Sequence, residues 1–401
     1  MSAASEKIFR DYAKQLHEAA NDPSISLALS RAIKSYRENV NKALTKFPHT
    51  VELAEEVRGI KDRAMDRLDE MVETAIASLA DNHAQGYFAS TAADALEIVD
   101  KLVGSGKTIV KSKSMVGEEI GLREHLEEKG NQIWETDLGE FIQQLRHDRP
   151  MHILSPAIHV PREDVAKLFT SFFGKEVPPD IAAEVGTVRE FLREKYFQAD
   201  IGMSGANVVA ADTGSIIVIE NEGNARLSTG APPVHIVIVG VEKLVPTLQE
   251  AFKVAEVNWR YAQYTVPSYV NIISGPSKTG DIEKVTTYGA HGPRELHVIF
   301  LDAGRKAMAA EPLFRQALFC MRCGGCMYEC PVFALTAGRF GYRYLAGIGA
   351  AWTAFGSGME YALPLTYTCL RCGRCMERCP MKIDVPSMIA ELRRRMAASA
   401  G

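Results

Sequence analysis

The chain has 401 residues, of which 46% are hydrophobic and 24% charged, and its formal net charge is −4. This length exceeds what one ordinary core accommodates, so we expect two or three domains. The lack of a basic excess argues against a nucleic-acid partner. No uncharged run reaches the roughly 18–20 apolar residues of a spanning helix, so any membrane association is expected to be peripheral and through partners.

The first 82 residues predict an N-terminal helical region. Apolar side chains recur at three and four residues in SISLALSRAIKSYRENVNKAL and in VELAEEVRGIKDRAMDRLDEMVETAIASLA. The polar segment KFPHT separates these two stretches, and Thr50 is expected to cap the second helix. The polar residues at the start of the chain lack the apolar core of a secretory signal peptide.

Residues 83–304 predict an α/β domain. The expected strands are KTIVKS, NQIWET, HILSPA, VHIVIVGVEKL, ELHVIFLDAG and two strands about a turn in ANVVAADTGSIIVIENEG. The expected helices are ADALEIVDKLVGSG, VGEEIGLREHLEEKG, DLGEFIQQLR, REDVAKLFTSFFG and LVPTLQEAFKVAEV. Such alternation favours a largely parallel sheet with helices packed on it.

Several loops of this domain are polar where a cleft is expected. The segment VKSKSM follows a strand and opens a helix, so its amides, Lys111 and Lys113 are candidates for binding an anion. A structural turn is the alternative interpretation for each such loop. No loop matches a Walker A sequence or a dinucleotide fingerprint. Among the ten histidines, which form no close ligand pair, His159 is the one of interest.

All eight cysteines lie between positions 320 and 379. Both groups follow the pattern C-x2-C-x2-C-x3-C-P, which is the run of two-cluster ferredoxins. The ligands are Cys320, Cys323, Cys326, Cys330, Cys369, Cys372, Cys375 and Cys379. Clustered thiols indicate metal and a cytoplasmic, reducing compartment rather than secreted disulfides. A closed zinc site, the other metal alternative, prefers two CxxC pairs.

The glycine after each second cysteine lets backbone amides approach a cluster, and the proline after each fourth cysteine redirects the chain. Because the fourth cysteine of such a run usually ligates the other cluster, the wiring is expected to cross over. Cys320, Cys323, Cys326 and Cys379 would then hold one 4Fe–4S cluster, and Cys369, Cys372, Cys375 and Cys330 the other.

The rest of residues 305–401 predicts helices. PVFALTAGRFGYRYL, AAWTAFGSGMEYAL and VPSMIAELRRRMAAS favour an α-helical ferredoxin domain over the small β-rich kind. Arginines 322, 371, 374 and 378 lie among the ligands. They are expected either to offset cluster charge or meet an acidic partner, or simply to be solvated.

Taken together, VKSKSMVGEEIGLREHLEEKG, WETDLGEFIQQL, ILSPAIH, GANVVAADTGSIIVIENEGNARL and GPRELHVIFLDAGR resemble the iron–sulfur subunit of the lactate-utilisation complex. The resemblance covers roughly residues 5–395. It implies a lactate-utilisation domain, similar in fold to CoA-transferase and sugar-isomerase α/β domains, joined to a two-cluster ferredoxin domain.

The resemblance also implies a function and a ligand site. The chain would be a subunit of an oxidoreductase complex that oxidises L-lactate or a related 2-hydroxyacid to pyruvate, passing electrons toward a partner or a quinone-linked acceptor. Its expected partners are a cysteine-rich redox subunit and a second lactate-utilisation-domain subunit. The implied cofactor-binding cleft residues are Lys111, Ser112, Lys113, Ser114, Asn207, Thr213, Glu220, Glu222 and Asn224.

Two other functions remain open at the level of sequence. The ferredoxin-like C-terminus would equally serve another redox complex, such as one resembling heterodisulfide reductases. Alternatively, Glu220 or Glu222 would act as the nucleophile of a CoA-ester-handling enzyme, as in CoA-transferase-like domains. The competing interpretation of these carboxylates is that they hold a turn. Since no hydride-accepting cofactor site is visible, the isolated chain is not expected to oxidise lactate.

Overall fold

The N-terminal region is helical, as predicted. A computed structural model describes residues 3–398, with side chains from residue 5. The helices are α1 (Ala3–Ala20), α2 (Pro23–Lys46), α3 (His49–Met65) and α4 (Leu68–Asp81). Asp22 caps α2 by accepting from the Ser24 amide. Thr50 does not cap α3, because that helix begins at His49, two residues earlier than a Thr50 cap implies, and buries Thr50 within its first turn.

The central region alternates strands and helices. Its elements are β1 (Gln85–Ala89), α5 (Ala92–Val103), β2 (Thr108–Lys111), α6 (Met115–Ile120), α7 (Leu122–Glu128), β3 (Gln132–Glu135), α8 (Leu138–Arg146), α9 (Arg162–Phe173), α10 (Ile181–Gln198), β4 (Ile201–Ser204), β5 (Val208–Ala210), β6 (Ser215–Glu220), α11 (Asn224–Gly230), β7 (Val234–Gly240), β8 (Leu244–Val245), α12 (Leu248–Tyr261), β9 (Tyr269–Ile273), β10 (Lys278–Thr279), β11 (Thr287–Tyr288) and β12 (Glu295–Leu301).

Six of these strands form the predicted parallel sheet, in the order β1-β12-β7-β4-β2-β3. Its central strands are almost wholly buried and nearly continuously apolar, as expected for a sheet covered on both faces. A second, mixed sheet has the order β8-β5-β6-β9, and β10 and β11 form a small hairpin. The sequence pattern predicted the β5–β6 pair but not that it belongs to a separate sheet.

Two expected elements of this region are wrong. The segment HILSPA forms a turn instead of a strand, because the buried His152 ring accepts from the amides of Leu154 and Ser155 while the Met151 amide donates to the Pro156 carbonyl. The single helix expected over VGEEIGLREHLEEKG is divided into α6 and α7 at Gly121, which adopts a left-handed conformation with φ of 66°.

The C-terminal region is helical. It contains α13 (Arg305–Ala309), α14 (Pro312–Arg315), α15 (Gly325–Tyr328), α16 (Phe333–Thr336), α17 (Ala346–Gly356), α18 (Met359–Thr368), α19 (Arg374–Arg378) and α20 (Val385–Ala398). The segment PVFALTAGRFGYRYL is helical only over α16 and a short 3-10 turn, whereas α17, α18 and α20 match the expectation. No helix within residues 3–398 has both the length and the apolar character needed to cross a membrane.

The three regions share one hydrophobic core. It joins Leu29 and Val57 of the N-terminal helices, Val209 and Val239 of the two sheets, and Leu392 of α20. A separate core packs α5, α6 and α7 against the other face of the parallel sheet. The N-terminal helices therefore connect the α/β region to the cysteine-bearing region, which sets the position of the cysteines relative to the sheet.

Candidate iron–sulfur site and adjoining cavity

The two cysteine motifs adopt the same backbone conformation. The arginine between the first and second cysteines has a positive φ in each motif, 63° at Arg322 and 54° at Arg371. The glycine after the second cysteine does too, with 77° at Gly324 and 82° at Gly373. Such left-handed turns aim successive amides at one point. The Arg371 amide accordingly lies 3.5 Å from the Cys369 sulfur, and the Arg322 amide bonds to the Cys320 thiol.

The eight thiols surround two adjoining cavities. The first contains Cys320, Cys323, Cys326 and Cys379 in its wall, and we call these residues the first thiol set. The second contains Cys330, Cys369, Cys372 and Cys375, the second thiol set. Cys379 borders only the first cavity and Cys330 only the second, a placement that favours the crossover, which stays a prediction. Cys326 and Cys375 border both cavities, so the sets are neighbours.

This arrangement fits two 4Fe–4S clusters. The four cysteines of the first thiol set line the first cavity together with Cys375 and apolar residues that include Ile348, Trp352 and Val385, and four thiols are what cubane ligation requires. Within the described side chains, residues 5–398, no three His, Cys, Asp or Glu converge closely enough to hold a single metal ion. The thiols therefore line a cavity and do not converge on the position of a single ion.

Burial makes most of these thiols poor acids in the absence of iron. It raises the pKa of Cys379 to about 11 and that of Cys323 to about 12, and neighbouring thiols add to the effect. Cys320 is the exception. Burial acts to raise its pKa as well, but the positive charges of Arg322 and Lys243 outweigh it and the pKa is lowered. The first thiol set is therefore surrounded by positive potential on the side of Cys320.

The source of that potential is a buried group of charges, which we call the basic cluster: Lys61, Lys243 and Arg322. The Arg322 guanidinium lies 4.1 Å from the ring centre of Trp352 and 3.5 Å from Glu242. The Lys61 ammonium donates to the Glu242 carbonyl at 2.9 Å. Burial first, and then the neighbouring positive charges, lower the pKa of Lys61 to about 7 and that of Lys243 to about 8.

Glu242 is the counter-charge of the basic cluster. It is fully buried and accepts from Arg305 at 2.6 Å, and Arg305 also pairs with Glu119. Burial acts to raise the pKa of Glu242, but Arg305, Arg322 and Lys243 lower it to about 2. Glu242 is thus ionised, and its ion pair with Arg305 is shorter than its 3.5 Å contact with Arg322.

A larger cavity of about 240 Å³ lies at the carboxyl edge of the parallel sheet, and we call it the sheet-edge cavity. The loops after β2, β3, β4 and β7 line it, together with the end of β6. Ligands of open α/β sheets bind at this edge because all strand ends and helix starts converge there. Seven of the nine residues expected in the cleft border this cavity: Ser112, Lys113, Ser114, Asn207, Glu220, Glu222 and Asn224.

The other two expected residues are elsewhere. Lys111 is buried beneath the sheet edge, where its ammonium bonds to both Glu135 oxygens at 2.9 and 3.0 Å. Burial opposes its charge, but Glu135 and Glu118 outweigh burial and raise its pKa. Thr213 sits in the β5–β6 turn, where its carbonyl accepts from Asn82 of the N-terminal region. His159 lies in the loop before α9 and does not border the sheet-edge cavity.

The polar side chains of the cavity differ in whether they are already engaged in hydrogen bonds or ion pairs. Lys113 is held by Asp137 at 2.9 Å and by the Leu154 carbonyl at 3.0 Å. Glu220 accepts from the amides of Ala225 and Arg226, each at 2.8 Å, and from Asn271 at 3.0 Å. Because both of its oxygens are engaged, Glu220 holds the turn before α11 rather than facing a substrate. Glu222 is exposed at the cavity mouth.

Sequence reasoning missed Lys243, Asp137 and the role of Arg322 in this cavity. Asp137 follows β3, and Lys243 follows β7, the most apolar strand of the sheet. A charged residue just after a buried strand is a signal that would have found Asp137, whereas Lys243 ends a short 3-10 turn inside the segment VHIVIVGVEKL that was expected to be strand. Arg322 could not be found this way, because it reaches the cavity from the cysteine region. It is held there by its aromatic contacts and by Asn258, which donates to the Met321 carbonyl at 2.6 Å.

The sheet-edge cavity and the first thiol cavity share part of their walls. Ile153 and Arg322 border both. Ile153 belongs to the turn that replaces the expected HILSPA strand. A molecule in the sheet-edge cavity is therefore separated from the first thiol set by single side chains.

The fold and the thiols define an iron–sulfur protein, in which a parallel α/β domain is joined to a helical domain carrying two 4Fe–4S clusters. Comparison with known families agrees: the LUD domain matches residues 72–301 and a 4Fe-4S dicluster domain matches residues 316–383. "Lactate utilization protein B" of Shouchella clausii is 34% identical, with 96% of this chain and 80% of that protein covered. The chain belongs to the LUD-domain family of lactate utilization protein B.

Other relatives span most of the chain as well. The protein named "Uncharacterized electron transport protein YkgF" of Escherichia coli K12 is 32% identical over 96% of this chain and 80% of its own length. "Lactate utilization protein B" of Bacillus subtilis 168 is 34% identical over 86% of this chain and 72% of its own length. A crystal structure of a DUF162 family protein from Deinococcus radiodurans aligns with 58% of this chain and 98% of its own, at 17% identity and a TM-score of 0.32.

Proposed function

We propose that this protein is the iron–sulfur electron-transfer subunit of a cytoplasmic complex that oxidises L-lactate, or a related 2-hydroxyacid, to pyruvate. The observation that carries the proposal is the wall that Ile153 and Arg322 form between the sheet-edge cavity and the first thiol set. A ligand site beside a redox group is what a substrate-linked electron carrier needs. The names of the relatives supply the substrate class.

The arrangement of the thiols supports a route from this cavity to the protein surface. When bound, a 4Fe–4S cluster accepts and donates single electrons. The first thiol set is buried beside the sheet-edge cavity, the second adjoins it, and Cys372 of the second set is the exposed cysteine. The order of the elements is therefore cavity, first thiol set, second thiol set and solvent.

The surface around Cys372 fits a protein partner. Tyr367 and Leu370 expose 57% and 65% of their surfaces beside it, and the side chains of Arg371 and Arg374 are exposed next to them. An apolar centre with an arginine rim favours a partner that presents an acidic rim. We assign this surface to the cysteine-rich redox subunit, and we expect a second LUD-domain subunit in the same complex.

The chain by itself is not expected to oxidise lactate. Removal of two electrons and two protons from a 2-hydroxyacid requires an acceptor for the hydrogen on carbon, and the sequence contains no dinucleotide fingerprint. The turn-bound Glu220 also gives no support to a CoA-ester-handling enzyme. The chemical step therefore belongs to the assembled complex.

The test is anaerobic analysis of iron, sulfide and EPR spectra, with the chain alone and with its co-purified partners. We expect about eight irons per chain, no reduction by L-lactate alone, and reduction by L-lactate once partners are present. Arg371→Glu should weaken partner-dependent reduction, whereas Arg189→Glu, at an exposed arginine on α10, should not. Clusters that lactate never reduces in the complex would refute the substrate, and a disulfide-handling partner would favour the heterodisulfide-reductase-like alternative.

A further inference from the structure

Lys243 differs from the other lysines at the carboxyl edge of the sheet. Lys111 and Lys113 are both paired with carboxylates, whereas the Lys243 ammonium makes no hydrogen bond or ion pair within residues 5–398. Its side chain is only 6% exposed, and it lines the sheet-edge cavity. Glu242, which follows the same strand, acts on Lys243 electrostatically but makes no ion pair with it, because its oxygens contact Arg305 at 2.6 Å and Arg322 at 3.5 Å.

A buried ammonium without a partner is unfavourable by several kcal/mol unless an anion compensates it. The remaining carboxylates of the cavity do not do so. Asp137 pairs with Lys113, Glu220 is bound by amides, and Glu222 is exposed at the mouth. The space beside Lys243 therefore fits an anion that enters from solvent.

The lining of the cavity indicates which anion. Its volume of about 240 Å³ equals roughly eight liquid waters, enough for a small organic acid with a few waters. Ser112, Ser114 and Asn207 line it. Because the Ser112 hydroxyl donates to the Met203 carbonyl at 3.4 Å, the Ser114 hydroxyl and the Asn207 amide nitrogen are the groups that can donate to a carboxylate or to a neighbouring oxygen. A short 2-hydroxy or 2-oxo carboxylate presents both kinds of acceptor.

The position of Lys243 links this site to the first thiol set. Lys243 lines the cavity whose wall, through Ile153 and Arg322, is shared with the first thiol set, and its charge acts on Cys320 together with those of Arg322 and Lys61. A positive charge near a cluster stabilises its reduced, more negative form. An anion bound to Lys243 neutralises part of that charge, so it must disfavour reduction of the adjacent cluster.

We propose that the sheet-edge cavity binds a small 2-oxo or 2-hydroxy carboxylate through Lys243, and that binding lowers the reduction potential of the cluster held by the first thiol set. By linkage, reduction of that cluster weakens carboxylate binding by the same factor. The proposal deepens the electron-transfer role proposed above, on which it rests only for the cluster being reducible. It gives the cavity a ligand class and a means of releasing an anionic product once the electrons have been taken up.

The test is an anaerobic redox titration of the holoprotein, followed by EPR, with chemical mediators supplying the electrons. Pyruvate is the probe, and pyruvamide, which has the same shape without the negative charge, is its control. We expect pyruvate to shift the reduction equilibrium of the first cluster about tenfold toward the oxidised form, equivalent to 59 mV for one electron. The second cluster should shift less, and pyruvamide should shift neither. Equal potentials with and without pyruvate in the wild-type protein would overturn the proposal.

Two variants separate ligand binding from simple charge removal. Lys243→Met should lower the potential of the first cluster and abolish its response to pyruvate. Lys61→Met removes a charge from the same basic cluster but outside the cavity wall, so it should lower the potential and keep the response. Iron content and the potential of the second cluster report whether each variant is folded.

A pyruvate response that persists in Lys243→Met would assign the site to other residues and overturn the role of Lys243. Because mediators replace lactate and partners in this titration, its result is independent of the proposed function. Loss of the pyruvate response with intact lactate-driven reduction would refute only this inference. The reverse result would refute only the lactate assignment.

Discussion

Replacing Gly325 by alanine tests how the N-terminal helices support the first thiol set. A Cβ atom at Gly325 would lie 2.3 Å from the Tyr36 hydroxyl oxygen and 3.3 Å from the ring carbon that bears it. The first distance is about 1 Å shorter than an ordinary contact, and Tyr36 is completely buried against Tyr328. Overpacking of this kind destabilises by about 1–3 kcal/mol, and here the strain falls between Cys323 and Cys326.

The clash depends on one oxygen, so it can be removed separately. Tyr36→Phe deletes the hydroxyl, and it also removes the 3.0 Å hydrogen bond to the Tyr261 carbonyl, which contributes about 1 kcal/mol. We expect Gly325→Ala alone to lower the denaturant midpoint and to speed iron loss to a chelator. The double variant should be no less stable than Tyr36→Phe alone, which gives a favourable coupling energy of at least about 1 kcal/mol.

The assay is a double-mutant cycle of anaerobic denaturant unfolding, with the rate of cluster bleaching measured on the same samples. If the two substitutions add independently, the clash is not what limits alanine at this position. In that case the contact between α2 and the first cysteine motif does not stabilise the cluster.

Three further predictions follow from other contacts. Cys330→Ser should perturb the EPR signal and potential of the cluster bound by the second thiol set, although Cys330 belongs to the first motif; a change confined to the other cluster would contradict the crossover. Burial lowers the pKa of His235 to about 3, so this ring stays neutral in the folded state while it is protonated below about pH 6.5 in the unfolded chain. Stability should therefore fall as pH drops from about 6.5 toward 3, by up to about 1.4 kcal/mol per pH unit from this group. His235→Gln should remove that part of the slope in denaturant unfolding at several pH values, and an unchanged slope would contradict it. Lys111→Met should destabilise by about 3–5 kcal/mol by leaving Glu135 buried without its partner. It should leave the pyruvate response intact, whereas a lost response would indicate that Lys111 takes part in binding the carboxylate.

The part of the fold that depends on local patterns was predictable. Amphipathic spacing predicted that the N-terminal region is helical, but not that its second stretch divides into α3 and α4. Apolar runs predicted most strands of the parallel sheet. The errors arose where the chain turns within an expected element. The His152 ring accepts hydrogen bonds from amides that would otherwise pair with a neighbouring strand. Gly121 divides a helix whose apolar periodicity continues on both sides of it.

The polar residues of the sheet-edge cavity were only partly predictable. Ser112, Lys113 and Ser114 follow β2, so the strand-end rule finds them directly. Lys111, one residue earlier, has the same chemistry but faces Glu135 on the neighbouring strand. Side-chain alternation does not separate Lys111 from Lys113, because they are two residues apart. Lys111 is the last residue of β2 and lies opposite Glu135 in the register of β2 with β3, whereas Lys113 lies beyond the strand and pairs with Asp137.

The sequence by itself determined the chemistry of the redox centres. A 4Fe–4S cluster requires four thiols at spacings fixed by its own size, so two C-x2-C-x2-C-x3-C-P runs specify both the metal and its ligands. The tertiary structure decided what lies beside them. Arg322 and Lys243 meet at the same cavity although about eighty residues of chain separate them, because the shared core packs the cysteine region against the carboxyl edge of the sheet. No local pattern encodes that contact, since it depends on the order of the strands and on the burial of residues from all three regions at once.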